Sequence, residues 1–109
     1  MDVTSPSSQP LFDFGHVIKS PLVAELVEAN ELDLQGFLTR HARGDWGDIG
    51  TELCLANHAA VQKKSYILSF FPVSEALTLV LCTELDRGET TAMLIAPQDA
   101  RLWSRSDSI

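Results

Sequence analysis

A chain of 109 residues, of which 45% are hydrophobic and 21% charged, is long enough for one compact core and too short for two ordinary domains. With 15 acidic against 8 basic residues the formal net charge is −7, which argues against direct nucleic-acid binding, since phosphate contacts need a stripe of Lys and Arg that is absent here. The longest apolar runs are too short to span a bilayer, so no membrane partner is expected.

Residues 1–10, MDVTSPSSQP, are rich in Ser and Pro and read as a disordered leader. They lack the basic and apolar regions of a secretory signal, so a cytoplasmic protein is expected. Residues 11–100 are expected to form a single α+β domain, and 101–109, RLWSRSDSI, a mobile tail that Leu102 and Trp103 can tack onto the body. Cys54 and Cys82 each sit in an apolar segment without CxxC spacing, and read as reduced core thiols.

LFDFGHVIKS, residues 11–20, suits a short extended segment. Ser20–Pro21 is a helix start, because Ser20 can accept from the first amides and Pro21 fits the position where its missing N–H costs nothing. Leu22, Val23, Leu26 and Val27 then share a stripe, and Asn30 tolerates the left-handed conformation of a helix end. Asp33 caps a second expected helix over 34–42, with Leu34, Phe37, Leu38 and His41 at helical spacing and Gly44 as its stop. Asp48 is the candidate cap of a third, whose buried side is read as Ile49, Leu53, Ala56, Ala60 and Val61.

After Lys63–Lys64 the hydrophobic period shortens and the residues become β-branched and aromatic: SYILSFFP, ALTLVLCTEL and TTAMLIAP. DRGE, residues 86–89, supplies a tight hairpin turn, and residues 72–75 a looser one. The expected fold is therefore α+β: an N-terminal extended segment, three short helices, then a three-stranded antiparallel meander packed on the helices. These strands are more apolar than a half-solvated sheet requires, so the second face is expected to be partly covered or to pack on a second copy as a homodimer.

The blocks HVIKSP, RHARGDWGD, ANHAA and TELDRGETT, in that order, resemble a family of small uncharacterised bacterial proteins carried on plasmids, integrative elements and genomic islands. The resemblance spans about residues 14–97 and implies a genetic setting, not a mechanism. At Leu85, between Glu84 and Asp86, the family has a small residue, and the N-terminus here is longer than the family pattern.

No GxSxG, HExxH, Walker A or GxGxxG pattern occurs, and no cofactor is expected. Cys54 and His58 lie four apart on the third helix, but two ligands do not make a metal site. Asp45 and Asp48 lack the further oxygens a hard cation wants, so no metal is expected. His41 is read as an imidazolium favoured by the end of the second helix. Trp46 is read as a plug between helices and sheet, against the alternative of an exposed interface anchor.

The candidate binding residues are His41, Asp45, Trp46 and Asp48 around the GDWGD turn, and Glu84, Asp86 and Arg87 around the hairpin tip; none is assigned a catalytic role. The expected function is that of a mobile-element accessory protein, more a binder than an enzyme. Its acidic surface would engage a protein partner, even a defence nuclease whose nucleic-acid groove it fills. The alternative is a small enzyme or ligand-binding domain built on the same two turns.

Overall fold

The computed structural model describes residues 9–96. Their order is β1 (His16–Lys19), α1 (Pro21–Glu28), α2 (Leu34–Ala42), α3 (Thr51–Lys63), β2 (Tyr66–Pro72), β3 (Thr78–Glu84) and β4 (Glu89–Ile95). The expected leader, apart from Gln9 and Pro10, and the whole expected tail with Leu102 and Trp103 lie outside the described residues.

Local chemistry sets the first two helices as the sequence suggests. Ser20 Oγ accepts from the Val23 N–H at 3.3 Å ahead of Pro21, and Asn30 follows α1 with φ 59°. Asp33 Oδ1 accepts from the Gly36 N–H at 3.1 Å and opens α2. The third helix departs from expectation. Its N-cap is Gly50, with no side-chain cap bond, and Asp48 instead donates its backbone N–H to the Phe70 carbonyl at 2.7 Å. The backbone before α3 is engaged as a strand partner, which delays the helix to Thr51.

The class is α+β, but the sheet has four strands in the order β1-β4-β3-β2 and is mixed. The meander β2–β3–β4 is antiparallel as expected; the extended N-terminal segment, however, pairs parallel to β4, Val17 opposite Thr90, so a three-stranded antiparallel sheet is incorrect. Turn residues reveal hairpins between neighbours in sequence, whereas β1 and β4 stand at opposite ends of the domain and no turn announces their pairing. Gly15 makes the pairing possible: with φ 68°, it passes so close to Gly88 that an added Cβ would collide with the Gly88 carbonyl.

Strand alternation divides the sheet into two faces. On the inner face Phe71, Leu79, Leu81 and Ala92 pack with Val23, Leu34 and Leu38 from α1 and α2. The outer face carries Leu68, Phe70, Val80, Cys82, Met93 and Ile95 in register, and Ile18 beside Thr91.

Helix α3 runs along the outer side of β2, the far edge strand. Ile49 and Leu53 reach Phe70 and Val80, while Ala60 and Val61 pack with Ile67 of the inner face. Between them Asn57, only 1% exposed, clasps the strand edge, donating Nδ2–H to the Leu68 carbonyl at 2.8 Å and accepting the Leu68 N–H at 3.1 Å. Ala56, placed on the buried side by its spacing, is exposed. A strand edge presents N–H and C=O groups that an apolar stripe cannot satisfy, so the contact selects the amide next to it. None of the described helices is long and apolar enough to cross a membrane.

Candidate functional site

Gly47 forms a parallel bridge with Phe70: the Phe70 N–H donates to the Trp46 carbonyl at 3.0 Å, and Asp48 returns the bond to the Phe70 carbonyl. Residues 46–48 thus act as a one-residue fifth strand that covers the β2 edge next to the Asn57 clasp. Gly47 has φ 76°, and any side chain there would strike the Phe70 carbonyl. The GDWGD turn is therefore an edge seal, and Gly47 permits the close approach.

The Trp46 ring, 3% exposed, fills the space that this seal encloses. It packs with Ala60 and Ile67, meets His58 edge-on at 4.8 Å, and donates its indole N–H to the His41 carbonyl at 3.1 Å. The plug reading of Trp46 is the one the structure adopts. Asp45 is tied to Arg40 by a 2.7 Å ion pair, and the Arg40 guanidinium lies over the Phe71 ring at 4.6 Å. Asp48 is exposed.

His41 stands where sequence reasoning did not put it. It faces inward from the last turn of α2, 0% exposed, and burial lowers its pKa to about 3, so it is a neutral imidazole and not the helix-end imidazolium expected. Its nitrogens meet Ser69 Oγ at 2.5 Å from Nδ1 and Thr83 Oγ1 at 2.7 Å from Nε2; Thr83 meets Thr90 at 2.6 Å, and Thr90 donates to the Phe14 carbonyl at 2.6 Å.

That last bond orders all the others. Thr90 has one proton and gives it to Phe14, so it accepts from Thr83; Thr83 then accepts from His41 Nε2–H, and Nδ1 accepts from Ser69. One unidirectional chain therefore crosses the inner face and fixes the imidazole tautomer. It joins α2, all three antiparallel strands and the segment before β1. Ser69 and His41 make a hydroxyl–imidazole pair, but both are 0% exposed, and a base held near pKa 3 is not poised to take a proton from a nucleophile near neutrality.

The second group of candidates sits at the β3–β4 hairpin. Arg87 pairs with Glu84 at 3.3 Å, Asp86 and Arg87 are exposed, and the Glu84 carbonyl accepts from the Arg87 and Gly88 amides. Leu85 joins the Trp46 cluster, so the two turns share an apolar base. Among the described residues no hydrogen bond or ion pair links Asp45 or Asp48 to Glu84, Asp86 or Arg87. Burial, and then the charge of Glu84 two residues on along the same face of β3, raise the Cys82 pKa.

A groove of about 280 Å³ runs between the turn and α3, lined among others by Asp45, Trp46, Cys54 and His58. Among the described residues no group of three His, Cys, Asp or Glu side chains is placed to hold a metal ion. Searches against family models, curated proteins and solved structures find no match to this chain.

Sequence reasoning missed Ser69, Thr83, Thr90 and Asn57. A signal existed for two of them: the hairpin turn sets Glu84 opposite Glu89, which places Thr83 opposite Thr90 as a hydroxyl pair on the same face as the next-but-one pair, Leu81 and Ala92.

Proposed function

We propose that the protein is a non-enzymatic binding module, an accessory protein of a mobile genetic element that engages a protein partner through its acidic surface. The observation that carries this reading is a division of labour among the polar groups. The His41 imidazole and the Ser69, Thr83 and Thr90 hydroxyls bonded in one chain with it are locked in the interior, while Asp48, Asp86 and Arg87 are exposed and the half-buried Glu84 and Glu89 oppose one another at the hairpin. The genetic setting comes from the resemblance of the HVIKSP, RHARGDWGD and TELDRGETT blocks. A net charge of −7 suits docking on a basic surface, including the nucleic-acid groove of a defence nuclease.

The test is affinity capture from a host carrying the element, comparing the natural chain with a variant carrying Glu84→Lys, Asp86→Lys and Glu89→Lys. Loss of one specific protein in the charge-reversed lane, with capture weakening as salt rises, is the expected result. Equal capture by both chains would refute the acidic-surface reading. The second reading, a small ligand-binding domain or enzyme, draws on the groove beside Trp46, Cys54 and His58. Thermal stabilisation by a small molecule that Cys54→Ser and His58→Ala abolish would favour it.

A further inference from the structure

An antiparallel sheet that faces water on one side carries polar residues there. The middle of the outer face here carries few: Thr91, between Cys82 and Ile18, stands among apolar side chains, and the carboxylates gather at the hairpin end. Leu68, Phe70, Val80, Met93 and Ile95 surround a groove of about 230 Å³, with Cys82 as the sixth lining residue. Ile49 and Leu53 pack over the Phe70–Val80 side, and among the described residues none covers the strip toward β4 and β1, with Met93 37% and Ile18 42% exposed.

The dimensions of that strip limit its occupant. Four strands make a sheet about 19 Å wide and seven residues make it about 23 Å long. A surface of that size, already overlapped by the start of α3, falls short of the roughly 800 Å² per partner that a stable dimer buries. It does match one α-helix, about 10 Å across with its side chains.

Charge identifies the kind of helix. At the hairpin end of the same face Glu84 and Glu89 oppose one another across β3 and β4, an unfavourable like-charge pair. Arg87 reaches Glu84, and His16 stands beside Glu89 on β1. Glu84 follows the groove-lining Cys82 by two residues on the same face of β3, so cations arriving there meet acid at the groove's end.

We infer that the outer face of β4 and β1 receives an amphipathic helix of a partner protein, its apolar stripe over Met93, Ile95 and Ile18 and its basic residues at Glu84 and Glu89. The inference rests on the protein-binding reading and specifies the partner's chemistry. Helix-in-groove recognition of this type is anchored by residues at helical spacing on the incoming element.

The test uses the full chain with methyl-labelled Met and Ile, and a synthetic helical peptide of leucine and lysine with its leucines on one face. Saturable shifts of the Met93, Ile18 and Ile95 methyls are expected, with the inner-face Ile67 unmoved. Met93→Glu should weaken binding about tenfold or more, as loss of a central apolar anchor does. Paired Glu84→Gln and Glu89→Gln should weaken it severalfold, and a leucine–glutamate peptide of the same pattern should bind far less well. Equal binding of a leucine–lysine peptide with scrambled order would overturn the inference.

Shifts that gather at Asp86 and Asp48 while Met93 stays still would overturn helix docking yet leave the acidic-surface reading standing. A chain that sediments as a dimer until Met93→Glu is introduced would make a second copy the occupant. A nuclear Overhauser contact from the Trp103 indole to the Met93 methyl would make the occupant the chain's own segment. Either result would refute the partner helix.

Discussion

The two faces of the β-sheet place their polar groups differently. The inner face, sealed under α1 and α2, sets Ser69, Thr83, Thr90 and the imidazole of His41 beside its apolar core, while the middle of the outer face is mostly apolar with Met93 and Ile18 exposed and its carboxylates at the hairpin end. A buried polar group is tolerated when every donor finds an acceptor, and with the chain from Ser69 to the Phe14 carbonyl in place no buried side-chain nitrogen or oxygen among the described residues lacks a partner. Burial is thus decided by whether hydrogen bonds close and not by the count of apolar residues on a face.

The largest perturbation of this contrast should come from opening the inner compartment. Trp46→Ala removes the plug that also holds the His41 carbonyl, and is expected to cost about 3–5 kcal/mol in chemical denaturation. An unchanged unfolding midpoint would mean that the ring supports nothing.

Breaking the chain of hydroxyls should cost less. Thr83→Val leaves His41 Nε2–H without an acceptor and Thr90 without a donor, for an expected loss of about 1–3 kcal/mol. By contrast, Met93→Ser on the outer face should change stability by about 0.5 kcal/mol or less, since a partly exposed side chain there has little packing to lose. Equal losses at the two sites would erase the distinction between the faces.

Acid tests the inner face without a mutation. His41 titrates near pKa 3 in the fold and near 6.5 when unfolded, so between those values the unfolded chain binds the extra proton. Stability should be full above pH 6.5 and fall as pH drops, with a slope approaching about 1.4 kcal/mol per pH unit. Urea midpoints measured from pH 7 to 5 should show the decline in the natural chain and a much flatter curve in His41→Gln. Equal curves would assign the acid sensitivity to other groups.

The smallest effect is expected at Asp48. Because its side chain is exposed and does not cap α3, Asp48→Ala should stay within about 0.5 kcal/mol of the natural chain. A loss of 1 kcal/mol or more, about what removing a true cap costs, would restore the capping role that the sequence suggested.

Features controlled by neighbours in sequence were legible: Ser20–Pro21 and Asp33 as helix starts, Asn30 and Gly44 as stops, and the turns that order β2, β3 and β4. What stayed hidden depends on partners distant along the chain. His41 has the same helical spacing whether it points to solvent or to Ser69, and Asn57 is an ordinary polar helix residue until a strand edge lies beside it. Trp46 was legible as a plug, since two flanking glycines and an indole suit a joint; that its backbone also pairs with Phe70 has no signature in residue type.

The edge seal built from Trp46, Gly47, Asp48 and Asn57 also governs polymerisation. A sheet can grow into an open filament only if each subunit offers two unpaired edges, one to give and one to receive. Here β2 is engaged at Leu68 and Phe70 in its middle, leaving β1, four residues long and ending at Lys19, as the less protected edge among the described residues. Interrupting β2 at its centre breaks the run of free N–H and C=O groups that a second sheet would need, which works against growth into cross-β fibres.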